Sequence, residues 1–171
     1  ENCTDVLVLS RPDLVREIHR GYYEAGADMV LTNTFGGSPV TLGEFELSDK
    51  AFELNKQAVE IAREAAESFS DGRDRWVIGD IGPGTKLPSL GHVRFDVLRD
   101  AYRTQVDAMI AGGVDAVLVE TAQDLLQAKA AVMGARRAMK AADVDLPLLV
   151  NLTVETTGTM LLGTEIGAAL A

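Results

Sequence analysis

Apolar residues recur along this chain in two alternating patterns. Short solid runs are separated by longer stretches in which apolar positions return every three or four residues. A first helix is predicted from near Pro12, a favoured early helical position, with Ser10 available as its cap. Leu14, Ile18 and Tyr22 mark its apolar face, and Gly26 ends it. Met29-Val30-Leu31 then reads as a strand buried on both faces, closed by Thr32-Asn33-Thr34. A long helix over 48–69 follows, with Phe52, Val59, Ala62 and Ala66, or Leu54, Ala58, Ile61 and Ala65, on its apolar side. A second strand covers 76–80, and Gly82-Pro83-Gly84 opens a loop to about Val93. The next helix carries Phe95, Leu98, Tyr102, Val106 and Met109 on one stripe. A third strand at 116–119 ends at Glu120-Thr121. A helix over 123–142 follows, with Leu125, Ala128, Val132, Ala135 and Met139 inward. The fourth strand is 147–152, and a last helix begins near Thr164.

Strands alternating with long helices imply right-handed crossovers and a parallel sheet. There is also an internal echo. Gly26-Ala27-Asp28-Met29-Val30-Leu31-Thr32-Asn33-Thr34 reads against Gly113-Val114-Asp115-Ala116-Val117-Leu118-Val119-Glu120-Thr121, 87 residues further on. One strand lies between, so two βα units fill that offset, a length suited to an α/β (β/α)8 TIM barrel. A doubly wound sheet also alternates, but it usually carries Gly-x-Gly-x-x-Gly after its first strand, and no strand here does. The expected architecture is therefore a partial TIM barrel with about four βα units, and residues 1–171 belong to one domain. The chain opens on Glu1 and stops at Ala171 inside a helical pattern, so both ends read as cut.

Composition narrows the function. With 47% hydrophobic and 25% charged residues the chain is of ordinary globular type. A net charge of −10, with basic residues scattered among acids, argues against nucleic acid as a partner. No apolar run approaches the roughly 18 residues of a membrane span and no signal peptide is read before the first helix, so cytoplasm is the expected location. Cys3 is the single cysteine, and His19 and His92 lie far apart, which predicts no zinc site in this chain and two packing or surface histidines.

In a parallel barrel the chemistry sits at the C-terminal strand ends. The polar residues there are Thr32, Asn33 and Thr34, Asp80, Glu120 and Thr121, and Asn151 with Thr153. Glu120 follows four apolar residues and projects near the barrel axis, where a carboxylate needs a partner. A substrate ammonium would supply it; a barrel Lys or Arg, or a cap near Gln123, would also do so. Asn33 and Asn151 could serve a substrate carboxylate or satisfy loop backbone. Asp80 could face a substrate or hold the turn before Gly82-Pro83-Gly84. No catalytic residue is assigned.

Asn2-Cys3-Thr4-Asp5, Leu9-Ser10-Arg11-Pro12-Asp13, Ala25-Gly26-Ala27-Asp28 and Thr32-Asn33-Thr34-Phe35-Gly36-Gly37 form an ordered set. It continues through Gly79-Asp80-Ile81-Gly82-Pro83, Gly112-Gly113-Val114-Asp115 with Glu120-Thr121, and the tail from Thr157 to Gly163. This set resembles the homocysteine-binding domain of cobalamin-dependent methionine synthases. The resemblance implies a barrel that holds homocysteine on zinc as a thiolate, which attacks methylcobalamin to give methionine. It implies that Glu120 binds the substrate amino group, with Asn33 and its neighbours lining the same mouth; with the strand-end positions, the expected substrate-binding residues are Glu120, Asn33, Thr32, Asp80 and Asn151. It also implies cobalamin and folate domains as partners within the polypeptide. The family's zinc ligands are three late cysteines that this chain lacks, so the fragment is expected to be inactive alone. Other expectations are a homocysteine methyltransferase using betaine or S-methylmethionine and, from a different class, a non-catalytic half-barrel that self-associates through open sheet edges.

Overall fold

The short apolar runs become four strands: β1 (Met29–Leu31), β2 (Trp76–Ile81), β3 (Ala116–Ala122) and β4 (Leu148–Leu152). Periodic stretches become α1 (Leu7–Ser10), α2 (Pro12–Glu24), α3 (Pro39–Leu42), α4 (Ala51–Glu67), α5 (Phe95–Gly112), α6 (Leu125–Ala142) and α7 (Ile166–Leu170). The computed structural model describes residues 3–170; Glu1, Asn2 and Ala171, which include the two ends read as cut, lie outside the described residues.

Sheet order is β1-β2-β3-β4, and all three pairings are parallel. One face of the sheet is packed by the long helices: Val30, Val77, Ile81, Val117 and Val119 share a core with Val59, Ala62, Tyr102, Val106, Met109 and Ala135. Among the described residues, the other face carries a small apolar cluster of Ile78, Ala116 and Leu118. A doubly wound sheet reverses its strand order and covers both faces with helices. Strands in sequence order with the long helices on one side are instead consecutive units of a (β/α)8 barrel, half of its eight. Gly79 lets β2 lie close to α5, because a Cβ there would fall 2.6 Å from the Met109 sulfur and 3.2 Å from Val114.

Three local expectations are corrected. The buried stripe of α2 is Val15, His19 and Tyr23, one residue on from the predicted face, and Ile18 and Tyr22 are exposed. The two stripes are similarly apolar, and packing against α4 selects the one that contains His19, a packing histidine. Ser10 does not cap α2; its hydroxyl donates to Val6 O one turn back, and Arg11 holds the cap position with no side-chain bond to the helix backbone. Finally, β1 is buried only at Val30, with Met29 and Leu31 exposed, because it is a sheet edge whose inner face is uncovered. The accessible surface of 8821 Å² exceeds by several hundred Å² the ~8100 Å² typical of a compact monomer of this mass. The apolar inner face and the two open edges account for the excess in kind.

Candidate substrate pocket at the strand ends

Alternation along the strands fixes which side chains face the barrel axis. Residues 77, 79, 81, 117 and 119 meet the helices, so Ile78, Asp80, Leu118 and Glu120 point inward. Register then sets them in rows, Leu31–Ile78–Ala116 below and Asp80–Leu118–Leu149 above. Glu120 and Asn151 come next toward the mouth. Pairing of β3 with β4 jumps from Val119–Val150 to Ala122–Leu152, so β3 carries one extra residue, a β-bulge. Thr121 sits there with φ of 56°, and Ala122 returns to the helix-side core. The bulge leaves Glu120 on the inner face and half-buried.

Below the mouth, the end of β1 is joined to β2 by a closed ring of hydrogen bonds. Asp80 N–H donates to Thr32 Oγ1 at 3.0 Å, and Thr34 Oγ1 donates to Asp80 O at 2.7 Å. Each hydroxyl has one proton, so the 2.6 Å contact between the two threonines must run from Thr32 to Thr34. The ring satisfies both backbone polar groups of Asp80 after β1 has ended. Gln105 of α5 supports it, donating to Thr34 O at 2.8 Å and Asp80 O at 3.3 Å. The Thr32 hydroxyl is thus engaged within the fold. Asn33 donates to Thr4 O at 2.9 Å and ties the loop after β1 to the first turn. Asn151 is exposed on edge strand β4.

Three carboxyls surround this floor. Asp80 is 3% exposed and its Oδ1 has no hydrogen-bond partner. Burial first, then the charges of Glu120 and Asp5, push its carboxyl up to about 7. Asp5 is itself buried, accepts from Gly36 N–H at 2.8 Å, and is raised chiefly by burial. Sequence reasoning did not single out Asp5. The signal available was Gly36-Gly37: a Cβ at Gly36 would fall 2.8 Å from Asp5 Oδ2, and one at Gly37 would fall 2.6 Å from Asn55 Oδ1 and 3.0 Å from Gln105 Nε2. Among the described residues, none of the three carboxyls forms an ion pair. The barrel Lys or Arg considered for Glu120 is therefore not among its partners here, and the helix cap is Asp124, which accepts from Leu126 N–H.

The loop after β2 is held from beneath. Tyr102 OH shares its one proton between Gly82 O and Pro83 O, and Gln127 Nε2 donates to Pro83 O. Asp124 accepts from Ser89 N–H at 2.8 Å and Ser89 Oγ at 2.6 Å. The strand-end carboxyls thus lie in a fixed frame.

A sequential parallel half-barrel, with three carboxyls and no ion-paired partner for them among the described residues at its strand ends, defines a (β/α)8 protein. The homocysteine S-methyltransferase family profile matches residues 1–171, and the chain belongs to that family. It is 54% identical over 172 residues to the methionine synthase of Mycobacterium leprae and 53% identical over 171 residues to that of Mycobacterium tuberculosis. The chain spans 14% of the length of each of these relatives. Its fold matches the metallated form of the homocysteine methyltransferase MmuM from Escherichia coli with a TM-score of 0.79 at 20% identity. That match covers 99% of this chain and 63% of the other.

The zinc implied by the family does not fit the residues present. No group of three His, Cys, Asp or Glu side chains able to hold a metal occurs among the described residues. Cys3 stands alone, and burial raises its thiol, away from the thiolate a metal needs. No helix among the described residues is long and apolar enough to cross a membrane.

Proposed function

We propose that this chain forms the amino-acid-binding wall of a homocysteine pocket, and that the complete protein transfers a methyl group to the homocysteine sulfur to give methionine. The observation that carries the reading is Glu120, an inward carboxylate at a strand end with no ion-pair partner among the described residues, on the face that Leu118 sets and just before the β3 bulge. It accepts hydrogen bonds from the substrate ammonium. Asn151 lies on the neighbouring strand toward the same mouth, while Thr32 and Asn33 shape the pocket through bonds within the fold. This wall orients the backbone end of the amino acid and leaves its sulfur free to face the rest of the barrel. Residues 1–171 are one part of a homocysteine-binding barrel domain.

Methylcobalamin is the methyl donor in this reading, supported by the identity to methionine synthases, and cobalamin and folate domains of the same polypeptide are its partners. Ligands for a thiol-activating zinc come from outside the described residues, so no chemical step is assigned to a metal here. The reading places the protein in the cytoplasm.

Glu120→Ala in the complete protein tests it. Loss of a charged hydrogen bond costs about 1.5–3 kcal/mol, so homocysteine affinity measured by calorimetry falls roughly 10- to 100-fold. An unchanged affinity in a folded variant overturns the assignment of Glu120.

A further inference from the structure

Asp80 is held in an unusual position for a carboxyl. Its backbone N–H and C=O are both locked by the threonine ring, so the side chain is held toward the barrel axis. There it is almost fully buried, with one oxygen unpartnered. The charged groups that face it are Glu120 from β3 and Asp5 from the turn before α1, both acidic. The remaining polar neighbours are Thr32 and Thr34 after β1 and Gln105 from α5, all neutral. A buried carboxylate facing two acids and no cation is costly, and the neutral acid is the favoured form. The same position becomes favourable for a carboxylate once a cation lies beside it.

Register supplies the geometry. Asp80 pairs with Leu118, and Glu120 lies two residues beyond Leu118 on the same face. With strands about 4.8 Å apart and a rise of about 3.3 Å per residue, side chains in this diagonal relation are roughly 8 Å apart at their bases, within reach of one group held between them. A primary ammonium, with three donors, can be shared by both carboxyls.

We propose that Asp80 is a second contact for the substrate ammonium, neutral in the free pocket and ionised in the loaded one. Amino-acid binding then breaks the Asp80 O–H bond and sends one proton to solvent, while the ammonium keeps its three hydrogens. The proposal rests on the amino-acid reading of the mouth. The raised Asp80 carboxyl agrees with it: a group titrating at about 7 carries most of its proton at pH 6 and little at pH 8.

The test is titration calorimetry of the complete protein with L-methionine, which has the ammonium but no thiol proton to release. Each titration is run in two buffers of different ionisation enthalpy. With Asp80 titrating at about 7, about 0.9 proton per site is released at pH 6, about 0.5 at pH 7 and about 0.1 at pH 8. Asp80→Asn keeps a neutral acceptor, binds the amino acid more weakly at pH 8, where the wild-type carboxylate is charged, and loses the proton release. Stoichiometric binding by the wild type with no proton release at pH 6 overturns the inference and leaves the amino-acid reading standing. Failure of both methionine and homocysteine to bind overturns that reading and the inference with it. The wild-type pH series decides the matter even if Asp80→Asn does not fold.

Discussion

Thr32→Val tests the hydrogen-bond ring under the pocket. The two side chains have nearly the same shape, so the substitution removes one hydroxyl and little packing. Asp80 N–H then loses its only acceptor, and Thr34 Oγ1 loses the donor at 2.6 Å. A buried donor left unsatisfied costs about 1–3 kcal/mol, and the loss of a second bond adds to it, giving about 2–3 kcal/mol in total. Thr34→Val is milder, at about 1–2 kcal/mol, because Asp80 O keeps Gln105 Nε2 as a donor at 3.3 Å. The two hydroxyls act as one unit, so the double variant costs about 1 kcal/mol less than the sum of the singles. The assay is urea denaturation, reading the midpoint at unchanged slope. A Thr32→Val variant within about 0.5 kcal/mol of wild type, or strict additivity in the double variant, would refute the ring.

Other outcomes follow from single groups. Burial lowers His19 from 6.5 to about 4, so its neutral form stabilises the fold above pH 6.5. About 3 kcal/mol of that is lost as pH falls toward 4. Asp80 has the opposite sign: its raised carboxyl makes stability rise as pH falls from about 7 toward its unfolded value. His19→Leu therefore lessens the acid loss and Asp80→Asn steepens it, as read by thermal melts between pH 4 and 7. If both variants track the wild-type profile, these assignments are wrong. Gly37→Ala drives a methyl into Asn55 and Gln105 and costs about 1–3 kcal/mol, checked by the same denaturation assay. Asp124→Ala removes three hydrogen bonds, two of them to Ser89. It should speed proteolysis in the loop around Ser89 and lower stability by about 2–3 kcal/mol; unchanged cleavage would count against the clasp.

The order of strands and helices was legible because each run was long enough to show its period, and the sequential parallel sheet followed from it. The face of α2 was not, since Leu14, Ile18 and Tyr22 form as good a stripe as Val15, His19 and Tyr23, and only the neighbouring α4 distinguishes them. Burial of β1 was overestimated because a solid apolar run looks the same at an edge as in the middle of a sheet. At the mouth, the inward position of Glu120 could be read from the strand before it. The isolation of Asp80 could not, because it depends on Thr32, Thr34 and Asp5 converging from distant positions. The double role of the threonines is set by a hydrogen-bond direction, which no spacing encodes.

The bulge at Thr121 acts as a phase shifter between two parts of one unit. Val117 and Val119 before it and Ala122 after it all face the helix layer, although Val119 to Ala122 is three steps where the partner strand takes two. The single extra residue absorbs the difference, so the inward carboxylate and the Asp124 clasp can each occupy the orientation they need. Deleting one residue there would not merely shorten the loop. It would remove the kink that the extra residue puts between Glu120 and the Asp124 clasp, while Ala122, now directly after Glu120, would still face the helix side by plain alternation. The side on which each residue faces is thus indifferent to the extra residue; what depends on it is the direction in which the chain leaves the sheet toward α6.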